Sequence, residues 1–451
     1  MLLSAYFLRP IKYSPNTVVI LFNSQKYRNF DNRLVCETWT SESLNENETV
    51  PFKALQRKGV KDLAYIRQAF LPIPICQWTT FIAVCKAAEN SNQLSLSNTK
   101  TSSSPITVPL RHAYEEKHEV ISCFSPLFYN ERWQLLITSM EIFRQFGVNL
   151  QVYYIQSIRK ELVGHLPIYE ELGHVAVESW VLIDLGFAHK RSTDPNKELD
   201  WRNQGAAHTD CFLKYRESAD FIIISDIDDI LFPQLGKKYI QEFRSLAYQN
   251  PFAAGFSYNR YNIEVATSKF SSKFSLSKLL NSVQVTDEWE NGKSIVIPSK
   301  VETVWIHYPA IIKSGYSMVN LSFSNENQTS FKEFYDPQIS QIFHPKDVET
   351  FVINAKIFIK QNAKNEFKAL PSDIHYYPLM EKCYNEIFYS KKKNVDACPG
   401  PTRCRLPAYV SGFSCVIAKR KYTHHTISKT LKLHFPTNKN EFELSFNGCR
   451  M

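Results

Sequence analysis

Between residues 119 and 225 the chain alternates short apolar runs with segments of helical length, and this alternation constrains the fold more than any other feature. The apolar runs predict four strands, in "EVISCFSPLF", "NLQVYYI", "HVAVESWVLI" and "DFIIIS". The segments between them predict helices, in "RWQLLITSMEIFRQFG", "KELVGHLPIYEELG" and "NQGAAHTDCFLKYRESA". Strands joined by helices of this length form right-handed crossovers. The sequence therefore predicts an α/β domain with a mainly parallel sheet.

The last predicted strand ends in a cluster of carboxylates, Asp226, Asp228 and Asp229, within "DFIIISDIDDILFP". Ligands of parallel sheets bind at the carboxyl ends of the strands. Three interpretations compete: a solvated turn, a phosphatase of the haloacid dehalogenase type, and a nucleotide-sugar transferase. The phosphatase is disfavoured because Ile230 stands where its DxDxT motif has threonine, and because the chain has no Gly-Asp dipeptide.

The transferase interpretation explains the spacing of the first two aspartates. Residues two apart on an extended segment share a side of the chain, so Asp226 and Asp228 can face one cation. Mg²⁺ and Mn²⁺ prefer oxygen ligands and bridge carboxylates to a diphosphate. Such a cation stabilises the departing nucleoside diphosphate as a Lewis acid. We expect Asp229 to cap the following turn.

An ordered set of segments resembles the family 92 glycosyltransferases of metazoans, which are expanded in nematodes. The similarity runs through "SCFSPLFYNERWQLLITSMEIFRQFG", "LQVYYIQSI", "ISDIDDILFP" and "KSIVIPSKVETVWIHYP". It implies a GT-A-type nucleotide-sugar-binding domain and transfer of a sugar, galactose in characterised members, from a UDP donor to a glycan. One position departs from the family, which usually has Glu where this chain has Asp229. The shorter side chain keeps the charge and reduces the reach.

The resemblance also implies a metal ligand beyond the aspartates. His307 follows "VETVWI" at the point where GT-A enzymes commonly place a histidine on the metal. The metal set is then Asp226, Asp228 and His307, with Mn²⁺ or Mg²⁺ as the cofactor. A purely structural histidine is an equal alternative.

Donor and acceptor contacts are predicted from their places along the chain. Candidate donor-binding residues are Tyr129, Asn130, Glu131, Gln204 and Lys293. As an alternative, Asn130 caps the next helix and Glu131 lies in its first turn. The catalytic carboxylates would be Asp226 and Asp228 together with a base near the acceptor, for which the candidates are Asp287, Glu288 and Glu290. The stretch "VTDEWENGKS" that holds these three is equally typical of an acidic surface turn.

Composition suggests four regions. Residues 1–88 contain strand-like runs and predict a β-rich region, which the resemblance makes a lumenal stem. Residues 89–118 are rich in Ser, Asn and Thr and are predicted to be a linker. The catalytic domain is expected over residues 119–350, followed by a cysteine-containing extension over residues 351–451.

Cysteine usage and sequons favour an oxidising compartment. The chain has 10 cysteines, and the spacing of Cys76 and Cys85 suggests a local pair. Acceptor sequons occur at Asn47, Asn320 and Asn327. No signal peptide or membrane helix is recognisable, so a Golgi location implies an anchor upstream of this chain. The net charge of +9 is moderate, and no nucleic-acid-binding signature accompanies it.

These features predict a metal-dependent glycosyltransferase that moves a hexose, galactose by resemblance, from a UDP-sugar to a glycan on a glycoprotein or glycolipid. The alternative from another class is a lumenal carbohydrate-binding protein that has kept the fold and lost the chemistry.

Overall fold

A computed structural model provides the architecture. It describes residues 1–9, 16–27, 34–41, 59–99, 104–186, 194–233, 235–321, 345–389, 397–427, 431–437 and 440–449.

A seven-stranded central sheet organises the catalytic region. Its strands, in spatial order, are Val175–Ser179, Leu150–Ile155, His118–Phe124, Ala219–Ser225, Gln284–Val296, Ala253–Glu264 and Ser317–Asn320. The first four run parallel to one another, the fifth is antiparallel to both of its neighbours, and the last pairs in parallel with the sixth. The predicted α/β class and the mainly parallel sheet are confirmed.

Both faces of the strand Ala219–Ser225 are buried, which accounts for its unbroken apolar run. Phe221 and Ile223 point into one core with the helix Trp133–Gln145, whereas Ile222 and Ile224 point into a second core on the other face. The alternation follows from the two-residue period of a strand. The strand is thereby fixed in register, and so is the position of the aspartates that follow it.

The helices flank the sheet or lie at its ends. The α-helices are Trp133–Gln145, Lys160–Val163, Leu166–Glu171, Pro195–Glu198, Gln204–Tyr215, Tyr239–Gln249, Leu276–Asn281, Pro345–Asn362, Lys364–Lys368 and Tyr377–Tyr384. Short 3₁₀ turns occur at Asp200–Arg202, Ser271–Lys273, Pro298–Lys300 and Pro401–Arg403, and a π-helical turn at Asn385–Tyr389. Among the described residues, no helix combines the length and the apolar character that a membrane span requires.

Two mainly antiparallel sheets form the N-terminal region. One contains Tyr65–Gln68, Trp78–Lys86, Thr17–Gln25, Leu2–Leu8 and Arg111–His112, and the other contains Val60–Leu63, Leu34–Trp39, Gln93–Asn98 and Ile106–Val108. Tyr6 and Leu8 join the core beneath the central sheet, whereas Ala5 and Phe7 face the second N-terminal sheet. Residues 1–88 thus share a core with the catalytic region, and the predicted linker at 89–118 contributes three of these strands.

The C-terminal residues pack at the carboxyl end of the central sheet. Cys415–Lys419 pairs with Ser157–Arg159, which directly follows a central strand, and with Glu441–Ser445. Two smaller hairpins complete the described strands: Val301–Val304 with Pro309–Ile312, and Tyr422–Thr426 with Lys432–Pro436. The residues beyond 351 therefore border the edge where the aspartates lie.

All ten cysteines form disulfides. The pairs are Cys36–Cys85, Cys76–Cys398, Cys123–Cys211, Cys383–Cys404 and Cys415–Cys449. The expected local pair of Cys76 and Cys85 is wrong, because each bonds a partner brought near by tertiary folding. Cys76 bonds a residue 322 positions away and ties the N-terminal region to the C-terminal one.

Candidate active site

The aspartate cluster lies where the chain leaves the central sheet. Parallel pairing of Phe124 with Ser225 brings the ends of two central strands side by side. The backbone then turns, with the Asp229 N–H donating to the Asp226 carbonyl at 3.1 Å. One carboxylate oxygen from each of Asp226, Asp228 and Asp229 lies within 4.8 Å of the other two. Asp228 is exposed, whereas the Asp229 side chain retains only 9% of its accessible surface.

Two basic side chains from the neighbouring antiparallel strands face this cluster. The Lys293 ammonium lies 2.6 Å from Asp226 Oδ2 and 3.3 Å from Asp229 Oδ2. The Arg260 guanidinium donates to Asp229 Oδ1 at 2.9 Å. Burial opposes ionisation of Asp226, but the charge and hydrogen bond of Lys293, with smaller contributions from neighbouring groups, together outweigh it and hold the pKa of Asp226 below its usual range. The chain thus supplies its own cations to the carboxylates.

Strand register explains why these two residues meet the aspartates. Ile224 pairs with Ser294, so Lys293 stands beside the end of the aspartate strand. Lys293 in turn pairs with Tyr258, two residues before Arg260. Lys293 is predicted from the sequence as a donor-binding residue, whereas Arg260 is not. No local signal marks that arginine, since it reaches the site through pairing of strands distant in sequence.

The helix Gln204–Tyr215 contributes a second set of contacts to Asp226. Gln204 Nε2 donates to Asp226 Oδ1 at 2.6 Å. His208 lies one helical turn further on, is fully buried, and interacts electrostatically with Asp226. Burial lowers the pKa of His208 to about 3, so its imidazole is neutral. His208 is absent from the residues predicted from the sequence, although its four-residue spacing from Gln204 indicates that both lie on one face of the helix.

His307 lies close to the same charges. Its Nδ1 is 2.9 Å from the Gly292 carbonyl oxygen, so a proton on Nδ1 leaves Nε2 as an acceptor. Burial, followed by the charge of Lys293, lowers the pKa of His307 to about 4. Gly292 is required here because a Cβ would lie 1.5 Å from the Tyr258 carbonyl oxygen. Among the described residues, the group placed to hold a metal comprises the three aspartates, without His307.

Two of the residues predicted to bind the donor, Tyr129 and Asn130, lie beside the strand Ser157–Arg159. The Tyr129 N–H donates to Ser157 Oγ at 2.7 Å, and Asn130 forms an isolated parallel β-bridge with Ile158. The Tyr129 ring packs against Tyr376, with ring centroids 4.8 Å apart. The alternative role of Asn130 as a helix cap is wrong, because the next helix begins at Trp133 without a side-chain cap.

Glu131 is almost fully buried and caps a helix far away in sequence. Its carboxylate accepts from the backbone N–H groups of His375, Tyr376 and Tyr377 at 2.7–3.0 Å. These groups lie at the start of the helix Tyr377–Tyr384, where N–H donors have no helical partner. Glu131 therefore holds the C-terminal helix against the catalytic domain.

The acidic stretch that contains Glu288 and Glu290 lies within the strand Gln284–Val296, not in a surface turn. Glu290 pairs with Arg260 in backbone register. The side chains of residues 285–290, including Asp287, lie outside the described set.

An unusual backbone segment precedes Gln204. Trp201, Arg202 and Asn203 have φ angles of 43°, 56° and 66°, in the left-handed region that glycine normally occupies. Each such residue costs on the order of 1–3 kcal/mol, and strain of this kind clusters at functional sites. The Trp201 N–H donates to the Pro399 carbonyl at 2.7 Å, next to Cys398 and its disulfide. Arg202, which sequence analysis missed, bonds Gln156 and packs over the Tyr129 ring.

Comparison with known families identifies the relationship. Residues 118–378, more than half of the chain, match the model of glycosyltransferase family 92. The chain belongs to glycosyltransferase family 92. The matched residues include the aspartate cluster, Gln204, Lys293 and His307.

Curated relatives in Caenorhabditis elegans agree with this assignment. Glycosyltransferase family 92 protein F59C6.8 is 32% identical, over 99% of this chain and 88% of its own length. Glycosyltransferase family 92 protein F13G3.3 is 27% identical, over 83% of this chain and 78% of its own length. Family 92 membership supports a glycosyltransferase role, and it favours the transferase interpretation of the aspartates over the phosphatase.

Proposed function

We propose that this chain transfers a hexose, galactose in our assignment, from a UDP-sugar to a glycan acceptor, with Mn²⁺ or Mg²⁺ as the cofactor. The observation that carries the proposal is the cluster of Asp226, Asp228 and Asp229 at the carboxyl end of a parallel strand, where such sheets bind ligands. Family membership supports the reaction class.

The cluster fits a divalent cation. Carboxylate oxygens are the ligands that Mg²⁺ and Mn²⁺ prefer, and three of them converge within 4.8 Å. Asp228 is exposed toward solvent, and the neutral His307 lies beside the cluster. When bound there, the cation would supply Lewis-acid stabilisation of the diphosphate leaving group.

The residues around the cluster set its charge and orientation. Gln204 and Lys293 hold the two oxygens of Asp226, so this carboxylate stays ionised with a fixed direction. Arg260 fixes the direction of Asp229, whose pKa burial raises to about 7. Asp228 is then the carboxylate that turns most freely toward a donor complex. We assign Tyr129 and Asn130 to the nucleotide, and a carboxylate of Glu288 or Glu290 to the general base.

Lumenal residence is part of the proposal. Five disulfides pair all ten cysteines, as expected in an oxidising compartment. Asn320, in an acceptor sequon, is exposed on an outer strand of the central sheet. We therefore propose residence in the Golgi lumen, in association with the membrane.

One observation favours the second candidate, a lumenal carbohydrate-binding protein without catalysis. The Lys293 ammonium contacts both Asp226 and Asp229, and so already neutralises part of the charge that a metal would meet. A chain that relied on this lysine alone would keep the fold without binding a metal diphosphate.

The test is a panel of UDP-sugars assayed for hydrolysis and transfer with Mn²⁺, with and without EDTA. We expect turnover of UDP-galactose that EDTA abolishes. Asp228→Asn should remove turnover and keep the melting temperature, because the change is nearly isosteric. Asp220→Asn is the matched control, since Asp220 is an exposed aspartate at the start of the same strand. Turnover that resists EDTA would exclude the metal mechanism.

Thermal unfolding separates the enzyme from the binding protein. A ligand that binds only the folded chain stabilises it by about 2.7 kcal/mol at a hundredfold excess over its dissociation constant. Mn²⁺ with UDP should raise the melting temperature, Mn²⁺ with UMP should do so much less, and Asp228→Asn should remove the difference. Equal responses to UDP and UMP would contradict a metal-diphosphate site.

A further inference from the structure

Four aromatic rings cluster where the left-handed turn meets the C-terminal helix: Trp201, Tyr384, Phe388 and Tyr389. The Trp201 ring centroid lies 5.8 Å from those of Tyr384 and Phe388. The rings of Trp201 and Tyr389 are close to parallel, at 18°, with centroids 6.5 Å apart. The cluster is only partly covered, and Tyr389 retains 61% of its exposure.

Two irregular backbone segments present these rings. Trp201 has a left-handed φ, held by the bond from its N–H to Pro399. Phe388 and Tyr389 lie in the π-helical turn that ends the C-terminal helix, and such turns are frequent at functional sites. Disulfides anchor both sides, through Cys398 near the turn and Cys383 within the helix. A hydrogen bond and two disulfides thus tie down the segments that carry the rings, although part of the ring surface faces solvent.

The cluster adjoins the aspartates. Trp201 precedes Gln204 by three residues, a span of at most about 11 Å, and Gln204 bonds Asp226 directly. Electrostatic interactions also indicate that Tyr389 lies near the aspartates. Burial is the main cause of the raised pKa of Tyr389, and the charges of Arg260, Asp226 and Asp228 act on it as well. Rings and carboxylates therefore border one space.

We propose that the cluster of Trp201, Tyr384, Phe388 and Tyr389 is a binding site for a sugar ring of the glycan acceptor. This inference rests on the proposed function, since it assigns the acceptor side of that site. A pyranose has a C–H face that packs on an aromatic ring and an edge of hydroxyls that need polar partners. Tyrosine supplies both an apolar ring and a polar tip. The Tyr384 hydroxyl suits this role, because it is buried without a hydrogen-bond partner among the described residues.

Purely structural packing of the four rings is the competing explanation, and exposure argues against it. A ring that only fills a core is covered, as Tyr376 is in the adjacent cluster. Tyr389 instead keeps most of its surface in solvent, at the rim of a site whose other wall is charged. An aromatic rim beside a carboxylate cluster matches a ligand that is amphipathic and uncharged, as a hexose is.

The test uses saturation-transfer NMR with the methyl glycosides of galactose, glucose, N-acetylglucosamine, mannose and fucose, in the presence of UDP and Mn²⁺. We expect transfer to the ring protons of at least one glycoside with the wild-type chain. Tyr389→Ala should raise the dissociation constant of that glycoside by roughly two- to tenfold, because one aromatic contact is lost. Tyr389→Phe, which keeps the ring, should restore most of the binding.

Tyr248→Ala is the matched control, because Tyr248 is 88% exposed on a helix with no described link to this cluster. If the melting temperature of Tyr389→Ala is below that of the control, the Tyr389→Leu variant is used in its place. Leucine keeps apolar bulk without an aromatic ring. No transfer to any glycoside, or equal transfer in wild type and the Tyr389 variants, overturns the inference.

The thermal response to UDP and Mn²⁺ distinguishes this failure from failure of the proposed function. If UDP raises the melting temperature but no glycoside shows saturation transfer, the proposed function stands and the acceptor site is excluded. If UDP has no effect on the melting temperature but a glycoside binds through Tyr389, the sugar site stands and the transferase function is excluded.

Discussion

The ammonium of Lys293 lies 2.6 Å from Oδ2 of Asp226, although the two residues are 67 positions apart in the sequence. The carboxylates of the aspartate cluster repel one another, so keeping them ionised at this distance costs free energy unless a counterion is present. Lys293 removes part of that cost before any ligand arrives, and Arg260 removes more at Asp229. The aspartate loop is therefore organised in the free chain by the strand beside it.

Replacing Lys293 tests this relationship. Lys293→Met should lower the free energy of unfolding at pH 7 by about 3–5 kcal/mol, because it leaves buried carboxylates without their partner. Adding Mn²⁺ should raise the free energy of unfolding more in this variant than in wild type, because the cation then replaces the positive charge of the lysine. Denaturant unfolding with and without Mn²⁺ measures both effects. The exposed Lys237→Met is the control, and equal stability of the two variants would contradict a role for Lys293 as counterion.

His208 predicts a pH dependence of stability. Its pKa is about 3 in the folded chain and near 6.5 when unfolded, so below pH 6.5 the unfolded chain binds a proton that the folded chain does not. Its contribution is therefore fully present above pH 6.5 and falls as the pH drops toward 3, by on the order of 3 kcal/mol at pH 4. His208→Asn should flatten the stability profile between pH 6.5 and 4, as measured by urea unfolding. The exposed His112→Asn should leave the profile unchanged, and a wild-type slope in His208→Asn would show that His208 titrates normally.

Glu131 distinguishes a capping role from donor binding. Glu131→Gln keeps the shape but weakens the charged hydrogen bonds to the helix Tyr377–Tyr384, so we expect a loss of about 1–3 kcal/mol in unfolding free energy. The exposed Glu171→Gln should cost much less. A higher KM for the UDP-sugar at unchanged stability would instead support the predicted contact with the donor.

The disulfide Cys76–Cys398 should stabilise the chain more than Cys383–Cys404. They close loops of 322 and 21 residues, and the entropy removed from the unfolded chain grows with loop length. Replacing each pair by serine should cost roughly 6 and 3 kcal/mol respectively in that model. Unfolding midpoints of the two double variants test the order. The reverse order would mean that native contacts, not chain entropy, dominate.

The sequence by itself determined the alternating strands and helices of residues 119–225 and their order. The apolar run Phe221–Ile224 and the helix Trp133–Gln145 follow from two-residue and 3.6-residue periodicity, which are properties of a short stretch of chain. The position of the aspartates at a strand end follows in the same way. Their place at the carboxyl edge of a parallel sheet is a consequence of the crossovers that the same pattern predicts.

Only the tertiary structure decided which distant residues meet. Arg260 and Lys293 reach the aspartates through antiparallel strand register, Glu131 caps a helix more than 240 residues away, and Cys76 bonds Cys398 instead of Cys85. No local pattern encodes these pairings, because each depends on how whole sheets and helices pack against one another. Periodicity is set by neighbours along the chain, whereas the partners of a buried charge or a cysteine are set by the packing that surrounds it.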